Sequence, residues 1–191
     1  MKPLPAAFYG GSADAIAPAL LNKVLVCGGV SARIVEVEAY CGHQDPGSHA
    51  FRGPTKRNAT MFGPPGRLYV YFTYGMHWCA NVVCSPAGEA SAVLFRALEP
   101  LTGLEVMRVR RPKAKSDRDL CRGPARLAEA FAIDGEFDGH DVTKRSSALP
   151  WIGDDGTAPP DQAVQSVRIG LSKGADIRWR WHVPHSRFVS R

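Results

Sequence analysis

Arg33-Ile34-Val35-Glu36-Val37-Glu38-Ala39-Tyr40 is the stretch on which the fold turns. Its β-branched residues alternate with acidic ones, the period-two pattern of a strand with one polar face, so residues 32–39 are expected to be a strand. Residues 23–27 form another apolar run, and Gly28-Gly29 supplies a turn that makes the two antiparallel. Glu36 and Glu38 then project from one face, ~7 Å apart at a rise of about 3.3 Å per residue.

Outward from this pair, residues 68–73 and 77–83 are apolar or aromatic segments on either side of Tyr74-Gly75, which reads as a hairpin with Tyr74 at its tip. Residues 91–98 read as a strand closed by Glu99 and Pro100. Strands over 164–171 and 177–183, turning at Lys173-Gly174-Ala175, end the series. A helix capped by Ser12 or Asp14 is expected to run to Leu21 and stop at a left-handed Asn22. The spacing of Leu104, Met107 and Arg108 predicts another over 101–110. A third starts at Pro124, which suits a first helical turn, and carries Leu127, Ala128 and Phe131 toward Ile133. Residues 41–67 have the Gly, Pro, Asn, Asp and Ser content of an ordered loop, and loops of this length usually carry function. Residues 146–160 also read as loop. The expected fold is α+β: a single domain over 1–191, with a curved antiparallel sheet, surrounding helices and a protruding β-hairpin.

A chain of 191 residues can bury a core without a metal or a disulfide. Its apolar runs fall far short of the ~20 residues of a membrane span. Pro3, Pro5, Asp14 and Pro18 interrupt any secretory signal, so a cytoplasmic location is expected. The five cysteines are odd in number and form no paired CxxC; Cys41 with His43, or Cys79 with Cys84, lack the rest of a zinc set. Neither metal nor other cofactor is expected. The net charge of +6 suits a polyanionic partner. Arg52, Lys56 and Arg57 precede the aromatic segment, whereas the run from Arg108 to Arg118 reads equally well as a solvated face.

Tyrosine rings can stack on nucleobases of any sequence, and a neighbouring carboxylate can activate water. From the residues alone, Glu36 and Glu38 are equal candidates for that carboxylate, and Arg96, which is costly to bury unpaired, could simply form a salt bridge with Glu36 or Glu99. A binding module without catalysis and a hydrolase of small glycosides stay open on the same residues.

Val35-Glu36-Val37-Glu38-Ala39-Tyr40, Arg57-Asn58, Met61-Phe62, Leu68-Tyr69-Val70-Tyr71, Tyr74-Gly75-Met76, Asn81 and Leu94-Phe95-Arg96-Ala97-Leu98-Glu99-Pro100, with Gly123-Pro124-Ala125-Arg126-Leu127 and Arg168-Ile169-Gly170, resemble the 3-methyladenine (alkyladenine) DNA glycosylase family. The resemblance spans nearly the whole chain. It implies a monofunctional enzyme acting on double-stranded DNA that contains a damaged purine such as 3-methyladenine, hypoxanthine or ethenoadenine. The purine is flipped out and its N-glycosidic bond hydrolysed, leaving an abasic site. Glu38 is implied as the base that activates water, and Arg96 and the carbonyl near Ile169 as the groups that hold it. Tyr40 would stack on one side of the flipped base. His49 and Tyr71 would cover the other, His49 also bonding the base edge, and Asn81 would obstruct the 2-amino group of guanine. Tyr74 would fill the vacated space, with Met76 and His77 against the minor groove. Lys56, Arg57 and Arg126 are candidate phosphate contacts, although Lys56 stands where the family is expected to have proline. A monomer is expected. For Asn81 to share the face of Tyr71, the hairpin needs a three-residue turn or a bulge that pairs Tyr71 with Cys79.

Overall fold

The structure, a computed structural model, describes residues 1–190. In chain order these form β1 (Lys2–Pro3), α1 (Ala13–Leu20), β2 (Val24–Cys27), β3 (Val30–Cys41), β4 (Leu68–Thr73), β5 (His77–Val83), β6 (Ser91–Thr102), α2 (Leu104–Arg110), α3 (Asp117–Leu120), α4 (Pro124–Phe131), β7 (Trp151–Asp154), β8 (Val164–Ser166) and β9 (Arg180–His182), with short 3-10 turns between them. The strands join one open antiparallel sheet in the order β1-β7-β2-β3-β6-β5-β4. The long β3 shares its second edge between two partners: β2 covers its first third and β9 pairs with Glu36, Val37 and Glu38.

Period-two alternation divides the sheet into two faces. Val37, Ala39, Val93, Phe95, Leu68, Val70, Ala80 and Val82 point into the main core, where α1, α2 and α4 pack. The opposite face carries Glu36, Glu38, Arg96, Asn81, Tyr69 and Tyr71. Across it, Glu38 is opposite Leu94, Leu94 opposite Asn81, and Asn81 opposite Tyr69, so four strands contribute one continuous row. The register of β3 against β6 shifts on both sides of Glu36, near Arg96. Such irregularities re-aim side chains next to functional sites.

The hairpin has the longer turn that the placement of Asn81 requires. Tyr71 pairs with Cys79 and Thr73 with His77, leaving Tyr74, Gly75 and Met76 in the loop. Tyr74 and Gly75 both take positive φ, +52° and +66°, and the Met76 amide donates to the Thr73 carbonyl at 3.2 Å. Asn22 is left-handed at φ +66°, as expected.

Four segments differ from the sequence reading. Pro100 does not end β6, which continues to Thr102 with Pro100 opposite Ala32, so α2 begins only after Gly103 in a left-handed conformation. The expected loop 146–160 contains β7, which bridges β1 and β2. Of residues 164–171 only the first three form a strand, and of 177–183 only Arg180–His182 do. Within the 108–118 run, Arg108 pairs with Glu105 and Asp117, and Arg111 with Glu129. The cysteines are unbridged, and Cys27, Cys79, Cys84 and Cys121 are buried. Among the described residues no helix is long and apolar enough to cross a membrane.

Candidate functional site

Tyr40, Gly47, His49, Met61, Tyr69, Tyr71, Asn81 and Leu171 line an open cavity of about 350 Å³ on the polar face of the sheet. That space includes open solvent, and the part that the centre of a water-sized sphere can occupy is about 60 Å³, well below the range for small-molecule sites, about 300–1,000 Å³. All four residues expected to form a base pocket, Tyr40, His49, Tyr71 and Asn81, are in its wall. Tyr69 and Met61, present in the family motifs without a pocket role, line the cavity too, as do Gly47 and Leu171, which the sequence reading did not single out.

One wall is an aromatic cluster. The His49 and Tyr71 rings meet edge to face with centroids 4.6 Å apart, and Tyr69 tilts against Tyr71 at 5.3 Å. His49 Nδ1 and the Tyr69 hydroxyl hydrogen-bond at 2.9 Å, which fixes the ring and leaves Nε2 free of that contact. Lost hydration, with Arg57 as a second cause, lowers the pKa of His49 below 6.5, so the ring is neutral at neutral pH. Asn81 donates its side-chain amide to the Tyr69 carbonyl at 2.9 Å. The loop carrying His49 is held by Asn58, whose amide nitrogen donates to the His49 and Gly53 carbonyls while its oxygen accepts from the Thr55 amide.

Tyr40 is the opposite wall, and beneath it lies Glu38. The Tyr40 hydroxyl donates to Glu38 Oε2 at 2.9 Å. Burial first, and the Glu38 charge second, push the Tyr40 pKa far up and keep it a donor. Glu38 Oε1 accepts from the Ile169 amide at 2.8 Å and pairs with Arg96 Nη1 at 3.1 Å. Glu38 has no exposed surface. It is linked to the cavity through the hydroxyl of Tyr40, which lines it. At Ile169 it is the amide that meets Glu38.

Glu36 is equally buried but differently bound. Its Oε1 accepts from Arg180 Nη1 at 2.8 Å, the Ser190 hydroxyl at 2.9 Å and Arg96 Nε at 3.2 Å, and its Oε2 from the Ser190 amide at 2.5 Å. Arg96 therefore joins both glutamates. Desolvation lowers its pKa, but Glu38 and Glu36 more than compensate, and it stays cationic.

The remaining candidates do not line the cavity. Tyr74 is 81% exposed at the hairpin tip and Met76 67%. His77 is also exposed. Arg57 donates to the Phe72 carbonyl at 3.1 Å and stands over the Tyr71 ring at 5.5 Å. Lys56 is exposed in the same loop. Arg126 is exposed in the first turn of α4, away from that loop, and its Nη1 donates to the Arg122 carbonyl.

Sequence reasoning missed Arg168, Asp45, Arg180 and Ser190. Arg168 and Asp45 form an ion pair with no exposed side-chain surface. An arginine among apolar residues, the signal that singled out Arg96, was also present at Arg168, but its partner lies 123 positions away.

Residues 7–187 match the family described as methylpurine-DNA glycosylase. A protein of Burkholderia lata named "Putative 3-methyladenine DNA glycosylase" is 57% identical over 98% of this chain and 90% of its own. Proteins with the same name from Rhodopseudomonas palustris and Streptomyces avermitilis are 47% and 45% identical, over 96% and 98% of this chain and 86% and 91% of theirs. With a match that runs through the strands carrying Glu38, Tyr71 and Arg96 and on past Ile169, the chain belongs to the methylpurine-DNA glycosylase family.

Proposed function

We propose that this protein removes damaged purines from duplex DNA by hydrolysing the N-glycosidic bond with water activated by Glu38, and that it does so as a monofunctional enzyme. The observation that carries the reading is the contact behind one wall of the cavity: the buried Glu38 carboxylate is bonded to the hydroxyl of Tyr40, the ring against which a base would lie. Tyr40 on one side and His49 with Tyr71 on the other can sandwich a flat heterocycle. Such stacking offsets the few kcal/mol required to draw a base from the helix.

Cleavage builds positive charge on the sugar as the base departs. Glu38 stabilises that charge and accepts the proton of the attacking water, while Arg96 and the Ile169 amide fix its orientation. Water gains access where the Tyr40 hydroxyl now meets Oε2, once the seated base shifts the ring. Neutral His49 can exchange a hydrogen bond with the base edge. Asn81, tied to the Tyr69 carbonyl, is placed to reject a guanine 2-amino group. Tyr74 occupies the gap in the stack from the minor-groove side, flanked by Met76 and His77. Lys56, Arg57 and Arg126 meet phosphate.

Cationic 3-methyladenine leaves readily, and neutral hypoxanthine or ethenoadenine leaves with help from pocket contacts. Duplexes with single lesions, incubated with the enzyme and treated with alkali, should break at the lesion. Intact strands with every lesion, or an undiminished rate in Glu38→Gln, would reject the proposal.

A further inference from the structure

We propose that the buried Asp45–Arg168 pair is a positioning unit that sets both the stacking ring Tyr40 and the Ile169 amide that holds Glu38; this rests on the base-excision reading above. Arg168 uses its guanidinium on four oxygens. Nη1 donates to Asp45 Oδ2 at 2.5 Å and to the Ala39 carbonyl at 2.9 Å, and Nη2 to Asp45 Oδ1 at 2.7 Å and the Gly174 carbonyl at 3.2 Å. The guanidinium also covers the Tyr40 ring at 4.7 Å and the Trp179 ring at 5.4 Å.

These contacts converge on the site from three directions. Ala39 is the residue between Glu38 and Tyr40, and its amide donates to the Trp179 carbonyl at 2.9 Å, so both of its backbone groups are held. Asp45 accepts from the Cys41 and Gly47 amides, which ties it to the start of the loop that carries His49. Arg168 is followed directly by Ile169, whose amide donates to Glu38. Gly47 lines the cavity, and a Cβ there would lie 2.9 Å from Arg168 Nη2 and 3.0 Å from the Lys173 carbonyl oxygen. The pocket wall is therefore packed directly on the ion pair.

A buried pair adds little net stability over apolar residues of the same volume. Its planar, bidentate geometry does fix direction, which a lysine cannot reproduce. Arg168 reaches no reacting atom, so its effect passes through Tyr40, Ala39 and Ile169. A displacement of about 1 Å at a reacting centre can cost about 100-fold in rate.

The test compares Arg168→Met and Arg168→Lys in the full chain. Single-turnover excision at saturating enzyme should fall about 100-fold in Arg168→Met, with Arg168→Lys in between. Affinity for lesion duplex, measured by anisotropy, should stay within about threefold. Exchange of the Ile169 amide with deuterium, followed in the free protein, should be slow in the wild type and accelerated in Arg168→Met. Equal losses of rate and affinity, or a wild-type rate with only a lowered melting temperature, would overturn the proposal. So would Ile169 exchange unchanged from the wild type. If Arg168→Met does not fold, Arg168→Lys decides by the same readouts. Should the wild type release no base at all, the excision reading fails by itself, while the exchange measurement still reports whether Arg168 holds Ile169.

Discussion

Glu36 and Glu38 stand two residues apart on one strand, face the same arginine and are both without exposed surface, yet the structure gives them different company. Glu36 is closed by Arg180 and by both donors of Ser190. Glu38 has one oxygen whose donor in this network is the hydroxyl of Tyr40, a residue that also lines the cavity. A carboxylate surrounded by fixed cations and amides is a structural anchor. On the proposed function, one whose remaining donor can swing away is the one that acts on water. The residues from 167 onward make this distinction.

The largest break in the comparison should come from Glu38→Gln, which keeps the volume and removes the base. Excision is expected to drop about 1,000-fold, with lesion binding retained, in single-turnover assays. Glu36→Gln should act first on stability, because Arg96 and Arg180 lose a shared counter-charge in a buried place. The expected loss is about 3 kcal/mol, a fall of roughly 6 °C or more in thermal melts, with a smaller rate defect transmitted through Arg96. Tyr40→Phe sharpens the contrast, since it removes the hydroxyl from Glu38 and leaves Glu36 untouched. Its cost is about 1 kcal/mol in a denaturant titration, with the excision rate changed by less than about tenfold.

The smallest effect separates the cavity from the Glu36 side by pH. The folded-state pKa of His49 is lowered, so the folded protein binds fewer protons there than the unfolded chain. The corresponding stability is present above about pH 6.5 and drains as pH falls below that value. Melts between about pH 8 and pH 5 should show a shallower acid slope in His49→Gln.

Part of this site could be read from local pattern, and part, the pocket roles of His49 and Asn81 and the choice of Glu38 over Glu36 among it, only through the family resemblance. Alternation in β3 put Glu36 and Glu38 on one face, and the need for Asn81 to join Tyr71 required the three-residue turn that pairs Tyr71 with Cys79. What escaped was non-local. Trp151, Ile152 and Gly153 become a strand because β1 and β2 lie on either side of them, which no short window reveals. Residues 164–171 have a strand's composition, yet the chain leaves the ladder after Ser166, and Arg168 then meets Asp45 and Ile169 meets Glu38. The register shifts around Glu36 were equally hidden. They depend on what β9 and Ser190 bring to that carboxylate, from 144 and 154 positions away.

The hairpin tip holds an aromatic residue where glycine or asparagine would be more comfortable, since Tyr74 has φ +52° and 81% of its surface in solvent. Left-handed backbone in a bulky residue costs on the order of 1 kcal/mol, and nothing around an exposed ring returns it. A laboratory search for heat-resistant variants would therefore enrich replacements at this position while discarding the residue that the proposed function sets into the DNA stack. Screens on this scaffold need a counter-selection for repair.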